Sequence, residues 1–134
     1  MIHGASKIAV VKHILIVDDD ALMLSMMSKA LPGFRLSLAR NGDEALAIAS
    51  QLPIDLLITD YLMPSMMGDE LIGRLREGRP HLKVLIITGH GQVLAQENSD
   101  WWHSEAHLNK PFSIEALREA VTRLIGDAAD GGRS

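Results

Sequence analysis

The sequence predicts an α/β fold with a doubly wound parallel sheet, on three observations. Short apolar runs recur at Ile14–Val17, Ile54–Ile58 (interrupted only by Asp55) and Val84–Ile87, the pattern of strands covered on both faces. Between them lie segments with apolar residues at helical spacing, and alternating strands and helices imply right-handed crossovers between parallel strands. Each run also stops at a polar group: Asp18-Asp19-Asp20, Asp60 and Thr88.

The elements follow in order. Residues 1–11 read as an extension, with Ile8 to Val11 packing on a neighbour or lengthening the first strand. After Asp20, the spacing of Leu22, Met23, Met26, Met27, Ala30 and Leu31 predicts a helix, which Pro32-Gly33 ends. Phe34, Leu36 and Leu38 alternate with Arg35 and Ser37, as in a half-exposed edge strand. Asn41-Gly42-Asp43-Glu44 opens a short helix with acids in its first turn, where the helix dipole favours them. Met63-Pro64 and Gly68 then force a loop after Asp60. A helix over Asp69–Glu77 ends at Gly78-Arg79-Pro80. Gly91 to Ser104 has weak helical character and carries Trp101 and Trp102, so the fourth helix is expected to be short or irregular. Ala106–Asn109 is a short last strand before Lys110-Pro111, and Ser113 caps a final helix with Ile114, Leu117, Val121, Leu124 and Ile125 on one face. From Gly126 the chain is a polar, Gly-rich tail. Five strands and five helices fit the flavodoxin-like order 2-1-3-4-5, with helices on both faces.

Composition narrows the function. The chain has 134 residues, enough for one domain with a sizeable core. Thirteen basic against 17 acidic side chains, with no basic run, argue against a nucleic-acid binder. No cysteine is present, so disulfides and thiolate metal sites are excluded. No apolar run reaches the ~18 residues of a membrane span, and the N-terminus is a poor secretory signal. A cytoplasmic protein is expected.

The order 2-1-3-4-5 makes the first and third strands neighbours, which places Asp18 and Asp19 beside Asp60. Alone, Asp60 reads equally well as a turn aspartate. Acids, the Thr88 hydroxyl and the Lys110 ammonium converging on one sheet edge are harder to obtain by accident. Two carboxylates about 4 Å apart repel by roughly 4 kcal/mol at an effective dielectric of 20, so either one is protonated or a cation binds. Oxygen-only ligands select a hard ion, and Mg²⁺ fits best. A carboxylate beside Mg²⁺ and lysine suits covalent phosphoryl transfer. In this reading Asp60 accepts the phosphoryl group and Asp18 and Asp19 hold Mg²⁺. Lys110 pairs with a phosphate oxygen, and Thr88 donates a hydrogen bond.

These residues carry a resemblance. Val17-Asp18-Asp19, Asp60-x-x-Met63-Pro64-x-Met66-x-Gly68, Thr88-Gly89 and Lys110-Pro111-Phe112 resemble a response regulator receiver domain of two-component signalling, of the chemotaxis-regulator kind. The resemblance implies a receiver over residues 12–126 and a flexible tail over 127–134. It makes Asp20 a helix-start residue and gives Mg²⁺ a third protein ligand, the main-chain carbonyl of Leu62. It implies phosphoryl transfer from a histidine kinase or histidine phosphotransfer protein, and signalling to an unknown protein target. Two positions depart from the family pattern. His107 stands where Tyr or Phe usually forms a switch with Thr88, and His103-Ser104 replaces the usual Gly-Ala before the last strand.

Other readings stay open at this level. The chain could be a receiver from a hybrid histidine kinase, a receiver that only binds partners, or a phosphatase of the haloacid dehalogenase type. The last requires reading Asp18-Asp19-Asp20 as its Asp-x-Asp motif. His107 is either a switch or pH-sensitive residue or a partly exposed edge-strand histidine. Trp101 and Trp102 form a partner hot spot, or one of them lies buried over the core. His3, His13, His81, His90 and His103 share no metal-ligand spacing and read as surface or loop residues. Glu97 and Glu105 read as solvated.

Overall fold

In the computed structural model, which describes residues 10–97 and 99–128, five strands form one parallel sheet in the order β2-β1-β3-β4-β5. The strands are β1 His13–Val17, β2 Arg35–Ala39, β3 Leu56–Thr59, β4 Lys83–Thr88 and β5 Ala106–Asn109. The helices are α1 Ala21–Ala30, α2 Gly42–Ala49, α3 Gly68–Gly78, α4 Gly91–Glu97, α5 Ser99–Ser104 and α6 Ile114–Ile125. The expected topology holds, with six helices among the described residues rather than five, since Gly91–Glu97 and Ser99–Ser104 are separate short helices. The expected extension and tail fall largely on residues 1–9 and 129–134, outside the described residues.

Two cores explain the unbroken apolar strands. Ile14, Ile16, Leu56, Ile58, Leu85 and Ile87 face α1 and α6, burying Leu24, Met27, Leu117 and Val121 with them. Their neighbours Leu15, Val17, Leu57, Val84 and Ile86 face the other way, against Ala45, Leu71, Ile72, Leu75, Leu94 and Trp102. Side chains alternate along a strand, so a strand covered on both faces must be apolar at every position. Leu57 is fully buried, and its truncation to Ala would cost about 2–5 kcal/mol.

Caps set where the helices begin. Asp20 accepts the Leu22 N–H at 2.9 Å to start α1, Asn41 accepts the Glu44 N–H at 2.8 Å to start α2, and Ser113 accepts the Ala116 N–H at 3.0 Å to start α6. Such caps contribute about 1 kcal/mol each. Lys12 donates to the Ile125 carbonyl and so caps the other end of α6.

Three expectations need correction. His13 is not a surface residue: it opens β1 and is 4% exposed. Its burial is tolerated because both ring nitrogens have partners, the Pro53 carbonyl at 2.8 Å and Ser37 Oγ at 2.7 Å. Ser37 is half-buried and Leu38 is 42% exposed, so the expected burial alternation of β2 fails there, although β2 does lie at the sheet edge. Glu105 is not solvated either. Its carboxylate takes a two-point ion pair from Arg76 of α3 at 2.6 and 3.2 Å, with its side chain only 9% exposed.

Candidate acidic site at the carboxyl edge of the sheet

Each key charged residue is the first after a parallel strand and prolongs its ladder by one bond. The Asp18 N–H donates to Ala39 O at 3.1 Å, the Asp60 N–H to Val17 O at 3.1 Å, and the Lys110 N–H to Thr88 O at 2.9 Å. The backbone therefore delivers these side chains to the switch point between β1 and β3, where open α/β sheets bind ligands.

Asp18, Asp19 and Asp60 each bring a carboxylate oxygen within 4.8 Å of the others. Lys110 Nζ lies 3.1 Å from Asp18 Oδ2 and 3.1 Å from Asp60 Oδ2. The second oxygens are held by main chain: Asp18 Oδ1 accepts the Asp20 N–H at 2.9 Å and Asp60 Oδ1 the Tyr61 N–H at 2.7 Å. Both buried carboxylates are thus oriented by one peptide N–H and one ammonium, while Asp19 is exposed. Burial raises the pKa of Asp18 above its usual value, against the lowering influence of the Asp20 N–H and Lys110. Burial alone would lower that of Lys110, but its bonds to Asp60 and Asp18 outweigh this and raise it. One ammonium faces three carboxylates, so the pocket has room electrostatically for a further cation. The donors are all oxygens, which suits Mg²⁺.

The remaining expected residues surround this pocket. Thr88 is fully buried at the end of β4, and its hydroxyl oxygen accepts the His90 N–H at 3.2 Å. That leaves the hydroxyl proton available for donation. Leu62 lies in the loop two residues beyond Asp60 and is 39% exposed. Gly68 closes that loop: its N–H donates to Tyr61 O at 2.7 Å. A Cβ on Gly68 would sit 2.5 Å from Asp60 O, so a larger residue would push the acid-bearing loop away. His107 of β5 makes an aromatic contact instead. It stacks on Trp102 of α5, ring centroids 3.8 Å apart and planes at 23°, and Trp102 is the buried tryptophan of the pair. Sequence reasoning did not foresee the contact of Tyr61 with Trp101, centroids 5.7 Å apart at 51°. Adjacent tryptophans in a weakly helical segment were its only signal.

Fold and site together define a doubly wound α/β domain with an acidic, lysine-countered pocket at its switch point. Among known proteins, the model of the response regulator receiver domain matches residues 14–122, and the chain belongs to that family. It is 34% identical over 116 residues to the response regulator receiver protein CpdR of Brucella abortus, covering 85% of this chain and 97% of that one. It is 29% identical over 119 residues to the transcriptional regulatory protein GlrR of Escherichia coli, covering 87% of this chain but only 27% of the relative. The response regulator TrrA of Thermotoga maritima, solved in complex with Mg²⁺-BeF, superposes with a TM-score of 0.75 at 30% identity, over 86% of this chain and 100% of the other. The protein is therefore a receiver domain of the two-component response regulator type. No helix among the described residues is long and apolar enough to cross a membrane.

Proposed function

We propose that this receiver accepts a phosphoryl group on Asp60 and signals through protein contacts. The observation that carries the reading is Lys110 Nζ, 3.1 Å from both Asp18 and Asp60, within a three-carboxylate cluster. A histidine kinase or histidine phosphotransfer protein is the donor. Asp60 Oδ2 attacks the phosphorus of phosphohistidine; the O–P bond forms as the N–P bond breaks, and the imidazole departs with the bonding pair and takes a proton from solvent. Lys110, already beside Oδ2, moves to an oxygen of the transferring group, and the Thr88 hydroxyl donates to another. Asp18, Asp19, Asp60 and the Leu62 carbonyl would hold Mg²⁺, which when bound neutralises charge on the phosphoryl oxygens. The acyl phosphate adds about −1.5 to −2 charge at Asp60, and His107 and Thr88 are the switch residues that respond.

Mass spectrometry after incubation with Mg²⁺ and acetyl phosphate tests this. The expected result is one added phosphoryl group, lost in Asp60→Asn and in the presence of chelator. No modification, or the same modification in Asp60→Asn, would overturn the assignment.

A further inference from the structure

Tyr61 follows Asp60 directly, and its N–H holds Asp60 Oδ1 at 2.7 Å. Its ring rests against Trp101, the half-buried first tryptophan of α5. Their separation falls within the range of tilted aromatic pairs, worth about 0.5–1.5 kcal/mol beyond the area they bury. Trp102, next on the same helix, is 3% exposed and stacks on His107 of β5. The start of α4 also abuts this ring, since a Cβ on Gly91 would lie 3.1 Å from Trp102 Cζ2 and collide with the Asn109 side chain. A helix of six residues has no stability of its own. Its position is set by side chains, and its two indoles face different neighbours. One meets the loop that carries the phosphoacceptor; the other is locked between β5 and the segment that follows Thr88.

We infer that Trp101 is a positioning residue for the acidic site. Through Tyr61 it braces the Asp60–Leu62 segment, and the Trp102–His107 stack anchors that brace to β5. The inference rests on the assignment of Asp60 as phosphoacceptor. Without the Trp101 ring, Tyr61 loses its packing partner. The peptide that orients Asp60 Oδ1 then gains freedom, and so does the Leu62 carbonyl one residue on. A ligand at Asp60 that shifts the Tyr61 loop reaches Trp101, and through α5 the surroundings of Trp102. His107, at the position where the family usually has a single aromatic switch, is thereby joined to the site through α5.

The test compares the full chain with Trp101→Ala and Trp101→Phe. Mg²⁺ affinity is read from the metal dependence of the melting temperature, and acetyl phosphate supplies the rate of Asp60 modification. The Ala variant should bind Mg²⁺ about fivefold more weakly, the lower end of common coupling energies, and should be modified more slowly at subsaturating Mg²⁺. The Phe variant, which keeps a ring against Tyr61, should restore both. Trp101→Phe also leaves Trp102 as the sole tryptophan, since the chain has two, and its emission should change when Mg²⁺ and beryllofluoride are added together. Three results would overturn the brace: wild-type Mg²⁺ affinity in Trp101→Ala, equal weakening in both variants, or Trp102 emission indifferent to beryllofluoride that demonstrably raises the melting temperature. If the wild-type chain itself takes no phosphoryl group, the assignment of Asp60 fails first and the brace falls with it.

Discussion

Replacing Asp18 by Asn should stabilise the metal-free protein at neutral pH, although it removes one partner of an ion pair. Asp18 is 1% exposed. One of its oxygens lies within 4.8 Å of a carboxylate oxygen of Asp60, a repulsion of about 3.5 kcal/mol at an effective dielectric of 20, while the charge of Asp19 is exposed and screened by solvent. Lys110 at 3.1 Å returns about 5 kcal/mol on the same scale. That attraction exceeds the Asp60 repulsion by about 2 kcal/mol, but taking the carboxylate out of water costs several kcal/mol and is the largest influence on it. Asparagine keeps the volume and the acceptor for the Asp20 N–H. The melting temperature in chelator at pH 7.5 should therefore rise by roughly 5–10 °C. The pH dependence has a definite sign. Burial raises the pKa of Asp18 in the fold, so folding disfavours its charged form. The penalty is absent below the unfolded value near 3.8 and grows as pH climbs through the folded value. The gain from Asp18→Asn should vanish near pH 3.5 and grow as pH rises toward 7.5, while stabilisation by Mg²⁺ should drop sharply. Thermal melts across this range, with and without Mg²⁺, make the measurement. A lower melting temperature at pH 7.5 in chelator, or an undiminished gain at pH 3.5, would refute the electrostatic account.

Lys110→Met should act in the opposite direction, leaving the carboxylates without their ammonium at a cost of about 3 kcal/mol; melts in chelator should show the loss, with Mg²⁺ restoring more stability than it adds to wild type. Because the Lys110 pKa is raised in the fold, its stabilisation is complete below its ordinary value of 10.5 and disappears as pH rises through the folded value, so alkaline melts should fall more steeply in wild type than in the variant. His13→Leu leaves the Pro53 carbonyl and the Ser37 hydroxyl without their partners and should cost about 1–3 kcal/mol in urea unfolding, with activity at Asp60 unchanged. His107→Tyr should change affinity for a downstream partner more than the rate of phosphorylation, as titration of both phosphorylated and unphosphorylated forms would reveal.

The sheet and the acid cluster were legible in the sequence for one shared reason. Strands buried on both faces must be apolar throughout, so Asp18, Asp60 and Thr88 stand out as the points where that requirement ends. The alternating helices fit the order 2-1-3-4-5, and that order makes Asp18 a neighbour of Asp60. His13 and Glu105 were misplaced because their burial depends on partners far along the chain: Ser37 and Pro53 for one, Arg76 for the other. No local pattern announces a partner of that kind.

By itself, then, the sequence determined the layering of strands and helices and the residue types at the carboxyl edge, because periodicity and the cost of burying charge are local properties. Only the tertiary structure decided that Lys110 bridges Asp18 and Asp60 rather than pointing to solvent, and that a two-tryptophan helix lies between Tyr61 and His107. The physical reason is the same in both cases. A long side chain or a short helix has no conformation of its own in water and takes the one its distant neighbours impose.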